Sequence, residues 1–85
     1  MKEIKFTPLA LGQFNEWKKN DKKTYLRINK LLYQIQNNPF KGIGKPEALK
    51  HQYKGFWSRR ITDEHRLIYQ VTNDAIVVIA CKYHY

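Results

Sequence analysis

The chain has 85 residues, 42% hydrophobic and 14% aromatic, with 16 Lys and Arg against 7 Asp and Glu for a formal charge of +9. That length suits one domain over residues 1–85 with a small core, since folding at this size removes roughly 60–65% of the unfolded surface from water, and the apolar content excludes a disordered polyelectrolyte. The charge favours polyanionic partners, and the longest apolar run, residues 75–81, falls well short of the about 20 residues that cross a bilayer.

Residues 2–6 alternate polar and apolar side chains and predict a short strand with Ile4 and Phe6 on one side. Thr7 and Pro8 are suited to cap and start a helix that repeats apolar residues at Ala10, Phe14 and Trp17 and runs to about Lys19. They also interrupt any apolar leader. Asp21 can cap a second helix with Tyr25, Ile28, Leu32 and Ile35 in one stripe, and Asn37, Asn38 and Pro39 end it. Gly42, Gly44 and Pro46 predict a loop, followed by a single turn or irregular chain at 47–51. Residues 56–61, 66–71 and 76–82 then read as three strands joined by polar turns at 62–65 and 72–74. The fold class expected is α+β, with two helices on one face of a small, mainly antiparallel sheet in the order β-α-α-β-β-β.

Chemical motifs are sparse. The run Gly42, Ile43, Gly44, Lys45 lacks the spacing of a phosphate-binding P-loop, and Pro46 stands where Ser or Thr is needed. His51, His65 and His84 are scattered, Cys81 is alone and the carboxylates are unpaired, so no metal or cofactor is expected. A single cysteine also accords with a reducing cytoplasm, the expected location, with no membrane role. Asp63, Glu64 and His65 read as solvated turn residues. Lys45, Lys50, Lys54, Arg59, Arg60 and Arg66 are interleaved with Tyr53, Phe56 and Trp57. That mixture suits phosphate neutralisation and base stacking on single-stranded RNA, and fits a plain cationic strand surface equally well.

The ending Lys82, Tyr83, His84, Tyr85 follows a strongly apolar strand that would anchor it. An imidazole, with an ordinary pKa of about 6.5, makes His84 a candidate proton donor near neutral pH. In a continued strand His84 and Tyr85 would point to opposite faces, so both can serve one site only if the chain bends first.

Residues 39–50 (PFKGIGKPEALK), 55–61 (GFWSRRI), 64–67 (EHRL) and 81–85 (CKYHY) together closely resemble the YoeB family of bacterial toxins, within the RelE/ParE superfamily. The spacing matches throughout 39–85, whereas residues 1–38 match mainly in pattern. The resemblance implies a microbial RNase fold and a type II toxin that associates with the ribosome and cleaves messenger RNA in the A site without metal. It also implies a YefM-like antitoxin, operator DNA met only through the antitoxin complex, and room for a homodimer. By position it makes Glu47 the general base, Arg66 the phosphate-stabilising cation, His84 the general acid and Tyr85 a substrate-positioning residue, with Lys50, Arg59 and Arg60 binding substrate. Two other functions share the composition: a non-catalytic RNA- or ribosome-binding module, and a ParE-like regulator acting on protein. The first predicts strongly salt-dependent binding without cleavage, and Glu47 and His84 argue against the second, since a toxin that binds protein needs no acid–base pair.

Overall fold

The chain begins as strand β1 (Glu3–Phe6) and turns into helix α1 (Pro8–Asn20) at Thr7. In the computed structural model, which describes residues 1–83, the Thr7 hydroxyl accepts the Ala10 N–H at 3.2 Å. Pro8 occupies the first helical position, where a backbone N–H would have no helical partner. Asp21 caps α2 (Lys22–Asn37) in the same way, accepting the Thr24 N–H at 3.1 Å and the Thr24 hydroxyl at 2.8 Å.

Those bonds, the Thr24 backbone N–H first, hold the Asp21 carboxyl below the usual carboxylate range. The folded protein therefore binds that proton less readily than the unfolded chain. The resulting stabilisation is present above the unfolded pKa and is lost as pH falls through the lower, folded one. Asp21→Ala is expected to lower the urea midpoint at neutral pH, and the gap from the wild type should close in acid. A gap of equal size at every pH would show that the carboxylate charge does not matter.

Beyond α2 lie β2 (Glu47–Ala48), a single 3-10 turn (His51–Tyr53), β3 (Phe56–Arg60), β4 (Arg66–Val71) and β5 (Ala75–Ala80). They form one sheet in the order β1-β5-β4-β3-β2. Neighbours from β2 to β5 are antiparallel, whereas β1 lies parallel to β5 with Glu3 opposite Ala75 and Phe6 opposite Val78. The α+β class and the helices before the main run of strands are as expected. Three details differ. Residues 47 and 48 pair with β3 instead of forming a turn, the first strand adds to the last, and β5 ends at Ala80.

The core joins Ala10 of α1 and Ile28, Leu31, Leu32 and Ile35 of α2 to Leu67, Tyr69, Ile76 and Val78 of the sheet. Side chains alternate across a strand, so once Leu67 and Tyr69 face the helices, Arg66, Ile68 and Gln70 face away. The same holds on β3, where Trp57 packs against the core and Phe56, Ser58 and Arg60 point to the opposite face. Among the described residues no helix is long and apolar enough to cross a membrane.

Candidate active site

Register assembles the site on the sheet face that the helices leave uncovered. Glu47 stands opposite Ser58, Ser58 opposite Ile68, and Ile68 opposite Ala80, which puts these four side chains in one row across the sheet. The next row on that face holds Arg60 and Arg66, directly paired. Two inter-strand spacings and two residues along the strand separate Glu47 from Arg66, on the order of 12 Å between Cα atoms. Ile68, only 2% exposed, and Ala80 border a recess with Leu9 and Gln13 of α1 and with Lys82 and Tyr83, so the row runs from an exposed carboxylate to an end that α1 and the tail reach.

Arg59 does not belong to that surface. As neighbour to Leu67 and two residues from Trp57 it points toward the helices, and it is fully buried. Its guanidinium donates through Nε to the Tyr69 hydroxyl at 3.2 Å, through Nη1 to the Ile43 carbonyl at 3.2 Å, and through Nη2 to the Asn38 and Lys41 carbonyls at 2.7 and 2.9 Å. Among the described residues no carboxylate pairs with it. The cation is solvated instead by the loop that wraps around it. The substrate-binding role expected for Arg59 is therefore corrected: alternation on β3 gives Arg60 to the surface and Arg59 to the interior.

That loop carries the chain into β2. The Tyr69 hydroxyl donates to the Pro39 carbonyl at 2.6 Å, the Ile43 N–H donates to Gln34 Oε1 at 2.9 Å, and the Arg60 N–H donates to the Gly44 carbonyl at 2.6 Å. Burial pushes the Tyr69 phenol above its ordinary range, with Arg59 pulling the other way, so it stays a protonated donor. At Gly42 (φ +131) a Cβ would stand 2.5 Å from Gln34 Oε1 and 2.9 Å from Arg59 Nη1. At Gly44 (φ +83) it would stand 2.9 Å from Leu31 Cδ2 and 3.1 Å from the Arg60 carbonyl. Both positions require glycine for close approach as well as for φ. The fixed loop then sets Glu47, an exposed residue whose carboxylate lies 3.9 Å from Lys45 Nζ.

The tail is held from the other side. The Cys81 carbonyl accepts the Trp17 indole N–H at 2.8 Å, the Cys81 N–H donates to Gln13 Oε1 at 2.8 Å, and Lys82 pairs with Glu16 at 2.6 Å. Burial pushes the Cys81 thiol up to about 12, which keeps it protonated and rules it out as a nucleophile. The Tyr83 carbonyl accepts the Arg66 N–H at 2.9 Å, and Tyr83 has φ +61, outside strand geometry. The chain has thus bent before residue 84. His84 and Tyr85 themselves lie outside the described residues.

Of the remaining expected residues, Glu47, Arg60 and Arg66 share the uncovered face, and Lys50 is exposed just beyond β2. Arg66 Nη1 donates to the Thr62, Asp63 and His65 carbonyls at 2.8, 3.1 and 3.1 Å, which braces the guanidinium against its own hairpin turn. His65, expected as a solvated turn residue, is 9% exposed and packs between Trp17 and Tyr83, with ring centroids 4.8 and 5.5 Å away. Local sequence carried no signal for it. Its partners are 48 and 18 positions distant.

Comparison with known proteins adds family membership to this geometry. Residues 6–85 match the model of the YoeB-like toxin of bacterial type II toxin–antitoxin systems. Toxin YoeB of Escherichia coli (strain K12) is 54% identical over 69 residues, 81% of this chain and 82% of the relative. The YoeB dimer from Staphylococcus aureus superposes with a TM-score of 0.93 at 46% identity, covering 99% of this chain and 98% of that one. A YoeB–YefM complex from the same organism gives 0.91 at 44% identity over 100% and 99% of the two chains.

Proposed function

We propose that this chain, which belongs to the YoeB-like toxin family of bacterial type II toxin–antitoxin systems, is a metal-independent endoribonuclease that cuts messenger RNA on the ribosome and so stops translation. One observation carries the reading: Glu47, Arg60 and Arg66 stand together on the uncovered sheet face, and the residue preceding His84 is hydrogen-bonded to Arg66.

Cleavage by the ribose 2′-hydroxyl needs a base at O2′, an acid at O5′ and a cation at the phosphate. Glu47 takes the 2′-hydroxyl proton as O2′ attacks phosphorus. Arg66, already oriented by the turn carbonyls, counters the charge that grows on the phosphoryl oxygens, and its planar fork suits two of them. His84 protonates O5′ as the P–O5′ bond breaks, which leaves a 2′,3′-cyclic phosphate and a 5′-hydroxyl end. Tyr85 positions the substrate, while Lys50 and Arg60 hold the flanking backbone by charge. The cytoplasmic partners are a YefM-like antitoxin, a second copy of the chain, and operator DNA through the antitoxin complex. Support for the first two comes from the S. aureus complex and dimer of similar chains.

The test incubates the purified protein and its His84→Ala variant with messenger RNA. One arm contains ribosomes and magnesium, and the other contains EDTA without ribosomes. The wild type should generate new 5′-hydroxyl ends on ribosome-bound message, and His84→Ala should slow this by about 10²- to 10⁴-fold. A wild type that binds ribosomes and leaves the message whole would replace the enzyme by a binding module.

A further inference from the structure

Building on the endoribonuclease reading, we propose that His65 is a positioning residue: its imidazole fixes the bend at Tyr83, immediately before His84, on which turnover depends. The imidazole Nδ1 accepts the Tyr83 N–H at 2.8 Å, and a ring nitrogen that accepts carries no proton. The ring proton therefore sits on Nε2, which lies 3.4 Å from Glu64 Oε1. The peptide on the other side of Tyr83 is fixed as well, because its carbonyl accepts the Arg66 N–H at 2.9 Å. Residues 65 and 66 thus clamp both polar groups of Tyr83, one with a side chain and the other with the backbone.

That clamp has a conformational task. Tyr83 is held at φ +61, where an L side chain is strained, so an unclamped tail would relax out of this bend. The ring cannot follow it. It is wedged edge-on against Trp17, and its backbone carbonyl accepts the Ile61 N–H at 3.0 Å. The charged and titratable groups around it are Glu64 on its own turn, Arg66 on β4, Tyr83 itself, and Lys82 of the tail. The Lys82 ammonium lies over the Trp17 and Tyr83 rings and pairs with Glu16 of α1.

Asparagine places Oδ1 as many bonds from Cα as histidine places Nδ1, so His65→Asn keeps an acceptor that does not titrate, whereas His65→Leu removes it. Two measurements are made: hydrogen exchange of the Tyr83 amide, and ribosome-dependent cleavage for its kcat and KM. Tyr83 should be protected in the wild type and His65→Asn and should exchange about tenfold faster in His65→Leu, the loss of one hydrogen bond. kcat should fall in His65→Leu by a similar factor or more with KM little changed, and His65→Asn should recover most of it. His65→Gln, whose acceptor sits one bond further from Cα, decides the matter even if His65→Leu does not fold: it should lose the Tyr83 protection and the kcat that His65→Asn keeps. The proposal is overturned if His65→Leu matches the wild type in Tyr83 exchange and kcat, or if His65→Asn does no better than His65→Leu. A wild type that cuts no RNA would end the enzymatic reading instead, and Tyr83 exchange would still decide whether His65 holds the tail.

Discussion

Replacing Arg59 by methionine should destabilise the protein by roughly 3–5 kcal/mol, because each partly buried acceptor left without a donor costs on the order of 1 kcal/mol. The change strands the Asn38, Lys41 and Ile43 carbonyls and takes a donor from the Tyr69 hydroxyl. Lysine would not rescue it, since a single ammonium cannot span four acceptors arranged around a planar fork. The adjacent Arg60 is the control. Its side chain is exposed, so Arg60→Met should stay within about 0.5 kcal/mol of the wild type while making RNA binding less steeply salt-dependent. Urea denaturation of the two variants side by side is the measurement. Similar midpoints for both would mean that the buried arginine does not hold the loop.

Glu47→Gln is expected to do the reverse, lowering the cleavage rate by about 10²- to 10⁴-fold without a measurable change in stability. The Glu47 side chain is exposed, and its ion pair with Lys45 is a 3.9 Å surface contact, a kind worth about 0–1 kcal/mol. Ribosome binding should persist, because one neutralised carboxylate on a strongly basic protein removes no attraction for RNA. Loss of binding in step with rate would make Glu47 a docking contact and leave the base unassigned.

The helices were legible because their signals are local. Thr7, Pro8 and Asp21 mark the starts, and the apolar stripes through Ala10, Phe14 and Trp17 and through Ile28, Leu32 and Ile35 turn out to be the faces packed on the sheet. The parallel pairing of β1 with β5 was not legible, since it joins segments about seventy residues apart and leaves no mark on either. The division between Arg59 and Arg60 was hidden for a subtler reason. β3 opens with Phe56 and Trp57 side by side, so hydrophobicity alone does not say which parity faces inward. Once Trp57 is seen against the core, alternation assigns both arginines. β4 carries the same ambiguity, with Leu67, Ile68 and Tyr69 in a row, and only the packing of Leu67 and Tyr69 in the core assigns Arg66 to the outer face. The bend that His84 and Tyr85 would need in order to serve one site together is already present at Tyr83.

The position of β5 between β1 and β4 also bears on how the protein is born. Ile76 and Val78 complete the core that α1 and α2 begin, and β1 has no sheet partner until residues 75–80 have been synthesised. A nascent chain lacking that strand holds two amphipathic helices and an incomplete sheet, and its long-range pairings form late. Glu47 and Arg66 lie on strands that pair through β3, but the core beneath that sheet is complete only once β5 has taken its place between β1 and β4.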